Sequence, residues 1–402
     1  MTGMNHQREI SVAPIHRTIA LVVSGLVFWL LVPVLAAAQS EPSEWRITGD
    51  LRTMYSASWR DARDGSERDS DTLGARFRLR LARDLNSSWR VQTRFATTFE
   101  DQGNDPEFFI RSNRESPTSI EPGSATLDEA FLQYRSPDRA TEVRVGRMQS
   151  SFKLPLITGK SLDRNQASNI NIGWTDGILL RRDLIGGWQT SLTGQYNSAD
   201  GNGTVLRGPL DFSDSGSRIS TWATLENNEE LGPVFLRALT LTWYPDALAA
   251  DGIADPGRED YVAATLKAAA GWALGDVFGG AATRLVVAGS VGQAFNRPSK
   301  QTMRLPGEGQ SDGFSWQLGA DLVEIFPDHT IGVVTAQADA GWLISNDFRQ
   351  NDSLAEFRWQ WQVSKPLLLE FRARWRREID LLAGVADKQR DRDMRLRATL
   401  KF

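Results

Sequence analysis

The sequence predicts an all-β fold, an antiparallel barrel of about sixteen strands, and three observations carry that expectation. Segments with a period of two, apolar on one face and charged on the other, recur from Trp45 onward. Their connections alternate between short turns and long polar loops. The last segment places Met394, Leu396, Ala398, Leu400 and Phe402 on one face and Arg395, Arg397, Thr399 and Lys401 on the other, and it stops at an aromatic. A half-buried strand that ends there must close onto another strand.

Ahead of this pattern, Arg8, His16 and Arg17 precede an apolar run over 19–35, followed by Ala36, Ala37 and Ala38. A charged start, an apolar stretch and small residues at a cleavage site read as a secretion signal over 1–38, leaving 39–402 as one barrel domain. The run is longer than the roughly 7–15 residues usual for such a signal, so a retained anchor is the alternative. Pro33 and the alanines behind it favour cleavage. No later apolar run approaches the ~20 residues of a spanning helix.

In the first strand Trp45, Ile47, Gly49, Leu51, Thr53 and Tyr55 share a face opposite Arg46, Thr48, Asp50 and Arg52. A charged loop is expected over 61–71. The second strand sets Leu73, Ala75, Phe77, Leu79 and Leu81 against Arg76, Arg78 and Arg80. After a turn at 84–88, the third sets Trp89, Val91, Thr93, Phe95 and Phe99 against Arg90, Gln92 and Arg94. Later strands are expected at 126–135, 141–148, 175–182, 188–197, 217–226, 234–244, 260–273, 282–294, 313–325, 331–344, 353–363, 367–378 and 392–402. That makes sixteen, within a range of 14–18, with long loops at about 100–125, 149–174, 198–216, 245–259, 295–312, 345–352 and 379–391. An even count with short turns on one side and long loops on the other is the pattern of a transmembrane barrel, periplasmic turns below and extracellular loops above. Trp45, Trp89, Tyr134 and Trp188 fall at the turn ends, and Tyr55, Trp59, Phe99, Trp243 and Tyr244 near the loop ends, as two aromatic girdles.

Composition removes most chemistry. Cysteine is absent, so no disulfide framework or thiolate metal site exists. Of three histidines, His6 and His16 lie in the presequence and only His329 remains. A Ser-His-Asp triad or a His-rich metal centre has almost nothing to be built from, so no enzymatic activity, metal or cofactor is expected. The formal net charge of -4 does not point to nucleic acid. Residues 211–216 lack the spacing and final glutamate of a calcium loop, and Gly279-Gly280 reads as a turn.

The arginines are unevenly placed. Arg46, Arg52, Arg76, Arg78, Arg80, Arg90 and Arg94 belong to the first three strands, and Arg372, Arg374, Arg376, Arg395, Arg397 and Lys401 to the last two. Closure makes these strands contiguous, so one wall of the lumen is expected to be basic and to guide anions. The alternative is that the arginines pair with lumenal acids such as Asp50, Glu142 and Glu370 and fill the interior.

Gly146-Arg147 at a strand end, with Asp128-Glu129-Ala130-Phe131-Leu132 on the strand before, resembles Gram-negative outer-membrane porins, including the alginate-export-like and phosphate-selective-porin-like groups. The terminal Phe402 is similar to the residue by which the barrel-assembly machinery reads outer-membrane proteins. The resemblance implies insertion among outer-membrane lipids and a third long loop, 149–174, that folds inward. Lys153, Lys160, Asp163 and Arg164 would then sit at or near the constriction. An outer loop without pore contact is the alternative. The loop lacks the dense acidic cluster of general diffusion porins, so their transverse field is not expected.

The expected function is a passive, water-filled channel for small hydrophilic solutes, with a lean toward anions. An export channel for an anionic polysaccharide is the alternative, and a secreted β-rich binding protein a more distant one. Monomer and homotrimer both stay open.

Overall fold

Alternation of apolar and charged residues becomes a ladder of sixteen long strands. The computed structural model describes residues 44–100, 107–108, 124–164, 172–197, 208–212, 218–249, 257–277 and 282–402. The presequence over 1–38, Gly279-Gly280 and most of the 211–216 run lie outside them. The first eight strands are β1 (Arg46–Asp61), β2 (Glu67–Asp84), β3 (Trp89–Glu100), β4 (Ser124–Arg135), β5 (Thr141–Met148), β6 (Thr175–Asp183), β7 (Trp188–Tyr196) and β8 (Ile219–Asn227). The rest are β9 (Val234–Ala249), β10 (Arg258–Asp276), β11 (Ala282–Ala294), β12 (Phe314–Phe326), β13 (His329–Ala338), β14 (Asp352–Ser364), β15 (Leu367–Glu378) and β16 (Arg390–Lys401). Each pairs antiparallel with its sequence neighbour, and β16 pairs with β1, closing the sheet. A two-residue piece, Glu107–Phe108, bridges in parallel to the start of β4 and adds nothing to the wall.

Closure has a physical motive. The outward faces carry exposed Leu192, Leu241, Leu266, Val291, Leu318 and Leu396, a surface suited to hydrocarbon. In that medium an open edge would strand unpaired backbone groups. Trp45, Trp89 and Trp188 are exposed at the turn ends, and Tyr55, Trp59, Phe99 and Trp243 toward the loop ends. Tyr244 is a correction: it is buried inside the barrel. Trp243 and Tyr244 are consecutive, and a period of two sends only one of them outward.

Two boundaries also differ from expectation. The charged run 61–71 is mostly strand, with only 62–66 as the turn. Its charges meet partners across the sheet, as in Arg392 Nη2 to Asp61 Oδ1 at 3.3 Å. The strand expected to reach 344 stops at Ala338, and 339–351 bends into the interior, where Trp342, Leu343 and Ile344 are buried. The consecutive apolar residues there fill the lumen instead of facing lipid. The short turns fall as expected. In the β4–β5 turn, hydrogen bonds from Ser136 Oγ and the Ala140 N–H hold the Asp138 carboxyl below its usual range.

The interior has two unlike halves. Trp222, Tyr244, Tyr261, Val334, Ala336 and Leu354 project inward and pack against loop residues Leu162, Met303, Leu305, Trp342, Ile344 and Phe348. This is an apolar core against the β8–β14 side. Opposite it, β14–β16 and β1–β4 present charged side chains.

Candidate functional site

Residues 149–164 leave β5 and double back as a small hairpin, with Phe152 N–H donating to Arg164 O (3.1 Å) and Leu154 N–H to Lys160 O (3.0 Å). Gly159, at φ 53°, makes the reversal, and its N–H donates to Leu156 O at 2.9 Å. The hairpin crosses the lumen to the wall formed by β10–β14. Its tip seats over two glycines on adjacent strands: a Cβ at Gly319 would lie 2.6 Å from Leu156 Cδ1, and one at Gly332 2.8 Å from Ile157 Cγ1. The Ile157 peptide is clamped on both sides, its N–H donating to Asp321 Oδ2 (2.6 Å) and its carbonyl accepting from Arg358 (2.9 Å).

The four loop residues named from sequence part ways. Lys160 is buried and pairs with Glu356 at 2.9 Å. Asp163, fully buried, accepts from Thr265 Oγ1 (2.6 Å) and pairs with Lys267. Arg164 is buried, donates to Trp174 O (2.9 Å) and lies over the Trp222 ring. Lys153 is exposed. The Asn-rich stretch over 165–171 lies outside the described residues.

The arginine wall is brought together as contiguity requires, but much of it is buried in ion pairs. Carboxylates are shared. Glu370 serves Arg397 (2.7 Å), Arg395 (3.1 Å) and Arg358 (3.5 Å). Asp128 serves Arg78 (2.8 Å) and Arg94 (2.7 Å), and Glu129 serves Arg94 (2.8 Å) and Arg80 (3.3 Å). Asp393 pairs with Arg372 and with Arg374 at 2.6 Å. Arg76 reaches Asp50 at 2.9 Å, Arg376 lies 3.9 Å from Asp352, and Arg52 donates to Thr399 Oγ1 at 3.3 Å. At the turn end Asp84 takes Arg46 (2.7 Å) and Arg90 (2.6 Å).

The register explains why sharing is needed. Arg358, Arg372 and Arg395 stand directly opposite one another across β14, β15 and β16. Like charges in that position repel, so the diagonal carboxylates Glu356, Glu370 and Asp393 are what make the row tolerable. A bulge in β4 between Arg94 and Phe95 inserts Asp128, so Asp128 and Glu129 both reach Arg94. The arginine run on β2 has no acid of its own because its acids sit on β1 and β4. Gly146, at φ 123°, lies against the Ala130 carbonyl with no room for a Cβ, and Arg147 stacks 4.1 Å over Trp174 while pairing with Asp176.

Three arginines not singled out from sequence complete the site: Arg135 (2.8 Å), Arg144 (2.8 Å) and Arg181 (3.9 Å) ring the buried Glu142 at the turn end. Arg135 and Arg181 are about two-fifths exposed there, unlike the buried Arg76, Arg78 and Arg395. Their inward parity was the available signal. His329 is held at the turn end in an aromatic stack, accepting from Trp359 Nε1 at 3.1 Å and lying 5.3 Å from the Trp361 ring.

At the seam, Gly49 and Phe402 exchange backbone hydrogen bonds of 2.8 and 3.1 Å. The Phe402 ring covers Gly49, where a Cβ would fall 2.5 Å from it, and stacks 6.2 Å from Phe77.

No protein-family model and no curated protein matches the chain. Among solved structures it is similar to OprB of Pseudomonas putida at high pH, with 11% identity, 90% of this chain and 94% of that one covered, and a TM-score of 0.59. OpdL of Pseudomonas aeruginosa gives 12% identity, 90% and 99% coverage and 0.53. An anion-selective porin from Comamonas acidovorans gives 15% identity, 89% and 100% coverage and 0.52. At these identities the likeness establishes a porin-like sixteen-strand barrel.

Proposed function

We propose that the chain, freed of residues 1–38, is an integral outer-membrane porin through which small hydrophilic solutes diffuse, with anions preferred over cations. The observation that carries the preference is carboxylate sharing. Glu370, Asp128, Asp393, Asp84 and Glu142 each serve two or three arginines, so guanidinium charge outnumbers carboxylate charge around them. Partly desolvated walls keep such a field from full screening. An excess of fixed positive charge lowers the barrier to anions and raises it to cations. The anion-selective porin among the structural likenesses agrees with this reading without deciding it. The turns face the periplasm and the loops the exterior, and the solvent-reaching arginines at the turn end form the inner mouth.

The test is single-channel conductance of the refolded protein in a planar bilayer, with the reversal potential under a KCl gradient. Chloride preference supports the proposal, and cation preference removes its charge argument. Absence of conductance removes the porin reading and favours export of an anionic polysaccharide through a gated lumen.

A further inference from the structure

Where hairpin 149–164 meets segment 339–351, a partly open cavity of about 30 Å³ lies against β14 and β15. That is room for one or two water-sized bodies. Arg372, Arg374, Arg376 and Lys160 line it, together with Thr158 and Asn346. Arg358 and Asp347 complete the lining. Five cationic side chains therefore face a single lining carboxylate.

The carboxylates behind do not restore the balance. Glu356 is divided between Lys160 and Arg358, Glu370 among Arg358, Arg395 and Arg397, and Asp393 between Arg372 and Arg374. Asp352 lies 3.9 Å from Arg376 and closer, 3.0 Å, to Arg349. Asp347 accepts from the Ser161 N–H at 2.9 Å. A second observation is independent of the charge count. The Nε atoms of Arg372 and Arg376 are buried and meet no acceptor among the described residues. The Nη2 atoms of the same two guanidinium groups donate to Asp393 and to Asp347 O, so it is the Nε donors that stay unmatched, and buried donors are ordinarily satisfied.

We propose that this cavity is a binding site for a small monovalent inorganic anion of halide size, held by Lys160, Arg372 and Arg376. The ion neutralises the local excess of positive charge and accepts from the guanidinium groups. Because the lining comes from both inward segments and from the wall, the ion fastens hairpin and segment to β14–β15. It is a resident ion and not a permeating solute, so the inference stands whether or not the channel prefers anions.

Bromide, a chloride substitute with a usable absorption edge, is the probe. Crystals of the refolded barrel grown in sodium bromide are measured at that edge. The expected result is an anomalous peak in the cavity, within hydrogen-bond reach of Lys160 Nζ and the two guanidinium groups. In parallel, the thermal unfolding midpoint is followed in bromide and in gluconate at equal ionic strength, and it rises with bromide alone. Arg376→Gln should abolish both signals. If that variant does not fold, Asn346→Asp supplies a fixed carboxylate in the same space, and it should fold, lose the peak and lose the bromide dependence. A wild-type cavity holding only water, or a midpoint that responds equally to bromide and gluconate, overturns the proposal.

Discussion

Replacing Glu370 by glutamine should cost the barrel about 3–5 kcal/mol, the range seen when one partner of a buried ion pair is removed. Glu370 is 2% exposed and accepts from three arginines, at 2.7, 3.1 and 3.5 Å, and from Gln360 Nε2 at 2.9 Å. At an effective dielectric of ~20, each close contact represents about 4–6 kcal/mol of direct attraction. The carboxylate also recovers its own desolvation cost when neutralised, so the net loss is far below the sum. Arg358 keeps Glu356, whereas the ion pairs of Arg395 and Arg397 with Glu370, at 3.1 and 2.7 Å, are lost. The isosteric amide preserves shape, so the loss is electrostatic and not a packing defect. Urea-induced unfolding of the refolded barrel, followed by tryptophan fluorescence, measures it. The same variant removes one negative charge from the wall and should move the reversal potential toward chloride. A Glu370→Gln barrel within about 1 kcal/mol of wild type would refute the reasoning, because it would mean that water or counterions already carry those arginines.

Three further outcomes follow from the geometry. Gly332→Val places side-chain atoms where Ile157 sits and should lift the hairpin tip, exposing the buried Lys160 to trypsin while the wall resists; unchanged cleavage would count against the seat. The double change Arg135→Gln and Arg181→Gln removes partly exposed cations, so it should weaken chloride preference with a stability change under ~1 kcal/mol. Loss of stability without a selectivity change would make the turn-end arginines structural. Gly49→Val occupies the space under the Phe402 ring and should slow assembly into lipid vesicles, read as delayed heat-modifiable mobility, more than a valine at the outward Ala75.

The wall was legible in the sequence because each strand states its own two faces. In β2 the outward Phe77 and Leu79 and the inward Arg76 and Arg78 are readable without any neighbour. The partners of those arginines were not, since Asp50 and Asp128 meet them only through inter-strand register, and Asp128 through a bulge that breaks the period. A solitary strand pattern therefore suggested an open basic surface where the sheet builds a buried network. The inward course of 149–164 came from the resemblance and not from periodicity, and that of 339–351 was hidden. Leu154, Leu156, Trp342 and Ile344 are apolar residues in loops, and no periodicity tells a loop that its solvent will be the inside of its own barrel.

The seam between β1 and β16 also sets a timetable. It joins residues such as Tyr55 and Leu396, almost the whole chain apart, while every other wall pairing is local. Ring closure of that span is the largest single entropic toll in folding and can be met only after the intervening hairpins exist. The pairs flanking the seam mature in stages: Glu370 can recruit Arg397 across β15–β16 beforehand, but Arg52 meets Thr399 only on closure. An arrested intermediate would thus be an open, charged sheet with two sticky borders, vulnerable to pairing with a second copy. The Phe402 ring over Gly49 and the two backbone hydrogen bonds beside it sit at the foot of that seam, so they form only when the two borders meet.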